Sequence, residues 1–108
     1  MKELSKEQLM QIYDIGKNLT DKSIFIDFYA DWWGPCKMFS SILDKVTPEY
    51  EDKINIYKVD IEKEPQIANL FGVQSIPTIV MIRKDGTPEK AVGAMNEEQL
   101  KYWLEGIS

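Results

Sequence analysis

The residues best placed to do chemistry fall in one stretch, Ser23 to Lys37. Cys36 is the only cysteine of the chain and follows a Gly34-Pro35 turn. Asp27 is the one acid in the run Ile24 to Ala30, which is otherwise dense in Ile, Phe and Tyr. Two adjacent tryptophans, Trp32 and Trp33, lead into the turn. A cysteine on the first turn of a helix faces unpaired backbone N–H groups and the positive end of the helix dipole, so it is a candidate reactive thiol. A carboxylate inside an apolar strand is costly unless it is neutral or paired, which raises its pKa. It can be a structural acid, satisfied by a backbone donor or by Lys58, or a functional one; its place one strand-to-helix step before Cys36 favours function.

The elements around this stretch follow from periodicity. The pattern Ser5-Lys-Glu-Gln8 is a capping box, and Leu9, Ile12 and Tyr13 recur at helical spacing, so a helix is expected over 5–16 with Gly16 as its stop. The run 24–30 is apolar on both alternating faces, as in a strand buried at the middle of a parallel or mixed sheet. Met38, Phe39, Ile42, Leu43 and Val46 define one helical face from about 35 to at least 46, with Pro48 as a break. A strand over 54–59 completes a right-handed strand–helix–strand unit. A short helix follows, with Pro65 in its first turn and Gly72 past its end. The run 76–82, the Asp85-Gly86 turn and the run 89–94 read as a hairpin. Asn96-Glu-Glu-Gln99 opens a last helix with Leu100, Trp103, Leu104 and Ile107 on one face. Together these give an α/β fold, a single domain over 1–108 with helices on both faces of the sheet.

Composition narrows the function. The apolar fraction of 44% and charged fraction of 29% are ordinary for a globular chain of 108 residues. A net charge of −5 without a basic cluster argues against nucleic acid as a partner. No apolar stretch reaches the ~20 residues of a membrane span, and Met1-Lys-Glu-Leu4 is too polar to begin a signal peptide. One cysteine and no histidine leave no structural zinc site and no internal disulfide, which fits a reducing, cytoplasmic setting. No cofactor is expected. Pro77 stands at the start of a strand run; the residues alone leave its peptide bond trans by default or cis as the rarer form. Adjacent tryptophans cannot both turn inward, so at least one is expected at the surface, with packing against the loop after Gly93 as the bland alternative.

Taken together, the segments Asp27-Phe-Tyr-Ala-Asp-Trp-Trp-Gly-Pro-Cys-Lys-Met38, Lys58-Val-Asp60, Phe71-Gly-Val73, Ser75-Ile-Pro-Thr78 and Val92-Gly-Ala94 resemble thioredoxins, in order and in spacing. The resemblance covers nearly the whole chain from Ser23 onward. It implies a mixed four- or five-stranded sheet, with the N-terminal edge strand shortened or absent here, and a cis Ile76-Pro77 bond. It further implies that Asp27 is the buried acid that helps to deprotonate Cys36, with Lys58 tuning that acid. Trp32, Gly34, Pro35, Ile76, Pro77, Val92 and Gly93 correspond to the groove that holds a partner's extended segment. Implied partners are proteins with disulfides or extended peptide segments and a thioredoxin reductase, with the chain itself a monomer.

The resemblance fails at one decisive position. The family motif is Trp-Cys-Gly-Pro-Cys, and this chain has Trp32-Trp33-Gly34-Pro35-Cys36. Thiol–disulfide exchange needs an attacking thiolate and then a resolving thiol. Cys36 matches the resolver, and Trp33 occupies the place of the nucleophile, so dithiol cycling is lost. A tryptophan codon is one base away from a cysteine codon and from the selenocysteine codon. Ser41 also stands where the family usually has a helix-kinking proline. The alternatives for function are monothiol chemistry at Cys36 or a non-catalytic binding module.

Overall fold

The computed structural model describes all residues, 1–108. In chain order the elements are β1 (Lys2–Glu3), α1 (Lys6–Ile12), β2 (Tyr13–Asp14), β3 (Lys17–Asn18), β4 (Ser23–Tyr29) and α2 (Gly34–Val46). A 3₁₀ turn at Thr47–Glu49 then leads to β5 (Ile54–Asp60), α3 (Pro65–Leu70), β6 (Thr78–Ile82), β7 (Pro88–Val92) and α4 (Glu97–Ile107). Five strands form one sheet in the order β1-β5-β4-β6-β7. The β1, β5 and β4 strands run parallel, while β6 and β7 are antiparallel to their neighbours. The expected mixed sheet is therefore present, and its N-terminal edge strand is shortened to two residues rather than absent.

Local signals set the helix starts. Ser5 Oγ accepts from Gln8 N–H at 3.2 Å while Gln8 Oε1 accepts from Ser5 N–H at 3.0 Å, the reciprocal bonds of a capping box. Asn96 and Gln99 repeat the arrangement at α4, at 2.8 and 3.0 Å. Expected boundaries shift where tertiary packing overrides pattern. The first helix ends at Ile12, not Gly16, because Tyr13 turns extended and buries its ring against Phe71, 5.5 Å between centroids. Gly16, with φ +75°, serves instead the tight turn that joins β2 to β3. The 76–82 run begins as a strand only at Thr78, and the last strand covers 88–92 instead of 89–94. Pro48 ends α2 as expected, with the chain passing directly into the 3₁₀ turn. The Asp85-Gly86 turn packs so tightly on the Gly16 turn that a Cβ on Gly86 would lie 2.2 Å from the Gly16 carbonyl oxygen.

The sheet has an apolar cluster on each face. Phe25, Ile54, Ile79 and Met81 meet Phe39, Leu43 and Val46 of α2 and Leu100, Leu104 and Ile107 of α4. Ile24, Ile26, Phe28, Val59 and Val80 meet Leu9 of α1 and Ile67 and Ala68 of α3. Strand periodicity of two sorts β4 between them, so Asp27 shares the α2/α4 side with Phe25. The central strand thus carries its acid beneath the start of α2.

Candidate functional site

Three chain segments leave the sheet at the same end. Phe28 of β4 pairs with Thr78 of β6, and Thr78 with Val92 of β7. The turn 30–34, the segment Ser75-Ile76-Pro77 and the Val92-Gly93 corner are thereby gathered at one edge. The expected site residues divide between a buried chamber and a rim there, the rim being exposed except at half-buried Ile76 and Gly93 and buried Pro77.

Asp27, Cys36 and Lys58 line the chamber, a cavity of about 190 Å³ completed by Tyr29, Ala30, Asp31, Lys37 and Ser40. Asp27 is only 4% exposed, and its Oδ1 has no hydrogen-bond partner. The backbone donor expected for a purely structural acid is thus not found at that oxygen. Burial pushes the Asp27 carboxyl up to about 7, and the Lys58 ammonium opposes that rise. Cys36 is also 4% exposed. Burial raises its thiol pKa, the Ala30 backbone draws it down, and the negative charge of Asp27 raises it again. The acid and thiol therefore both favour their neutral forms, for one shared reason.

Trp33 is the N-cap residue of α2 and supplies no capping side chain. Its backbone N–H donates to Ala30 O at 3.2 Å and its carbonyl accepts from Lys37 N–H at 3.1 Å, which fixes the turn. Gly34 and Pro35 begin the helix and stay exposed. Both tryptophans reach the surface, Trp32 at 63% and Trp33 at 42% exposure. Their rings meet edge to face at 5.8 Å. The Trp32 indole N–H donates to Glu62 Oε1 at 2.7 Å, which anchors one edge of that ring while its surface faces solvent.

On the opposite side of the rim the Ile76-Pro77 peptide bond is cis, the form that the resemblance implied. Pro77 O accepts from Gly93 N–H at 2.8 Å, and Thr78 Oγ1 donates to Ser75 O at 2.6 Å. Neither the N–H nor the carbonyl of half-buried Ile76 has a partner within the chain. Val92 is exposed beside it in the β7 corner.

No three His, Cys, Asp or Glu side chains converge closely enough to hold a metal ion. No helix is long and apolar enough to cross a membrane. Sequence reasoning missed Glu62 and Tyr29. Each meets its partner through a pairing distant in sequence, and a surface glutamate has no local signature that separates it from a solvated one.

The fold and this strand–turn–helix site define a thioredoxin-like protein. A sequence model of the thioredoxin family matches residues 5–106, and the chain belongs to that family. It is 50% identical over 78 residues to the thioredoxin of Borreliella burgdorferi, covering 72% of this chain and 67% of the relative. Thioredoxin 1 of a Nostoc species is 35% identical over 86 residues, 80% of each chain. Among solved structures, chloroplastic thioredoxin z superposes with a TM-score of 0.83 at 28% identity, covering 99% of this chain and 93% of the other. The thioredoxin of Malassezia sympodialis gives 0.80 at 32% identity, over 99% and 90%.

Proposed function

We propose that this chain is a thioredoxin-family protein that binds extended segments of other proteins at the rim but does not cycle between dithiol and disulfide. The observation that carries the reading is that its only thiol, Cys36, is buried and held protonated, with a tryptophan at position 33 where the family has its attacking cysteine. An indole cannot attack sulfur or accept a disulfide bond, so disulfide exchange has neither its first step nor its second. A monothiol mechanism would need a thiolate open to solvent, and burial opposes both requirements. What favours binding is the exposed Trp32 face, the unpaired Ile76 backbone, and the Val92-Gly93 corner joined to Pro77. A partner strand would bond to Ile76 and rest apolar side chains on Trp32 and Val92. Proteins with disulfides and a thioredoxin reductase, the usual partners of the family, would be met at this surface without electron transfer.

The test is insulin disulfide reduction in the presence of dithiothreitol. The chain should show no turnover above the reagent alone. Trp33→Cys should restore it, because that substitution supplies the attacking thiol in front of Cys36 and Asp27. Turnover by the unchanged chain at the level of a dithiol thioredoxin would refute the reading. Native Cys36 should also resist iodoacetamide at neutral pH and react on denaturation; ready labelling of the folded chain would move the assignment to monothiol chemistry.

A further inference from the structure

Three strands place three charged residues in a row. Glu3 of β1 lies opposite Lys58 of β5, and Lys58 lies opposite Asp27 of β4. Residues opposite one another in adjacent strands project from the same face, so acid, base and acid share the side covered by α2 and α4. Two carboxylates thus flank a single ammonium.

The ammonium lies beside Glu3 and Tyr29. Lys58 Nζ lies 4.0 Å from Glu3 Oε1 and 5.6 Å from the centroid of the Tyr29 ring. The Tyr29 hydroxyl donates to the same Glu3 oxygen. Asp27 forms no ion pair with Lys58, and its Oδ1 is buried without a hydrogen-bond partner. The Tyr29 hydroxyl itself resists ionisation, because it is partly buried and bonded to a carboxylate, so the tether persists through neutral pH.

We propose that Glu3 is a positioning residue for the chamber: held by the Tyr29 hydroxyl, it keeps the Lys58 ammonium at the cavity mouth and off Asp27, and so sets the proton affinity of Asp27. The charged and titratable groups around Asp27 are Lys58 from β5, Cys36 and Lys37 from α2, and Tyr29 and Asp31 along and beyond β4. From β6 it faces only Ile79, and Glu3 stands behind Lys58. Among these, Lys58 is the cation in register with the acid, and a four-carbon stem lets its ammonium reach either carboxylate. The consequence reaches beyond local order. The two-residue strand β1, otherwise remote from the turn, holds one end of the electrostatic row that ends at Asp27. This role stands whether or not the rim binds peptides.

The experiment is a carboxyl-carbon NMR titration of Asp27 in the full chain. Glu3→Gln releases Lys58 toward Asp27, and the midpoint should fall by about half a pH unit, the scale of a half-exposed ion pair. Tyr29→Phe keeps the ring and the net charge but removes the tether, and should give a smaller fall in the same direction. In a Lys58→Met background, Glu3→Gln should leave the midpoint where it is. An Asp27 midpoint unmoved by both single substitutions overturns the proposal. So does an equal fall in the Lys58→Met background, because Glu3 would then act as a distant charge and not through the lysine.

Discussion

The two faces of β4 are built on opposite principles. Toward α1 and α3 the strand presents Ile24, Ile26 and Phe28, all fully buried in an apolar cluster. Toward α2 and α4 the same strand presents Phe25 and then Asp27, with a cavity in place of close packing around the acid. Residues from one strand thus close an apolar cluster on one side and bury a carboxyl of raised pKa on the other. The apolar face can hold the fold while the other carries a buried carboxyl that weakens it. Proteins tolerate such an unpaired group only where the surrounding structure over-determines its place, and five β4 residues, Ile24 to Phe28, paired with strands on both sides provide that frame.

The comparison can be tested from either side. The largest effect is expected at Phe28, which is fully buried and packs near Phe71 at 6.0 Å between centroids. Phe28→Ala should lower the unfolding free energy by about 3–5 kcal/mol in urea denaturation. A loss below about 1 kcal/mol would show that the apolar face does not carry the fold.

Asp27 should behave in the opposite sense. Its folded carboxyl titrates near 7 against an ordinary value of 3.8. Below 3.8 both states hold the proton and the group has no effect on stability. As pH rises from there to 7 the unfolded chain ionises first, so stability falls across this window and then levels off. Asp27→Asn should remove that part of the pH dependence and stabilise the chain at pH 8 by up to about 4 kcal/mol. An unchanged slope of stability against pH would mean that Asp27 ionises normally in the folded protein.

The smallest effect concerns a feature of the α2/α4 face that looks structural. Lys45 Nζ lies 3.1 Å from Glu97 Oε2, but the lysine is largely exposed. Solvent screens such pairs. Lys45→Ala should leave the denaturation midpoint within experimental error, since Leu43, Leu100 and Leu104 hold these helices together. A clear drop would place part of that face's stability in its surface charges.

Much of this organisation was legible in the chain. The Ser5–Gln8 capping box, the start of the last helix at Asn96 and the doubly buried run 24–30 rest on near neighbours and formed where they were expected; on the apolar face read for α2, Phe39, Leu43 and Val46 are buried but Met38 is exposed. The first helix was misread at its end because Tyr13 and Gly16 suit a helix stop as well as a hairpin. The choice was made by Phe71, far along the chain, which receives the Tyr13 ring. In the site, Asp27, Cys36 and Lys58 were chosen from the sequence and line one cavity. Tyr29 and Glu3 were not, because a strand tyrosine and an N-terminal glutamate carry no mark of their partners.

By itself the sequence determined the chemical inventory: one thiol, an indole three residues before it, an acid inside a strand and a Gly-Pro turn between acid and thiol. The proposed loss of dithiol cycling rests on that inventory, since no folding can supply a second sulfur. Only the tertiary structure decided the proton states and the directions of the charges. Burial depends on which helix covers which face, and the direction of Lys58 depends on the register of β1, β5 and β4. Both follow from pairings between residues far apart in the chain, which local pattern does not encode.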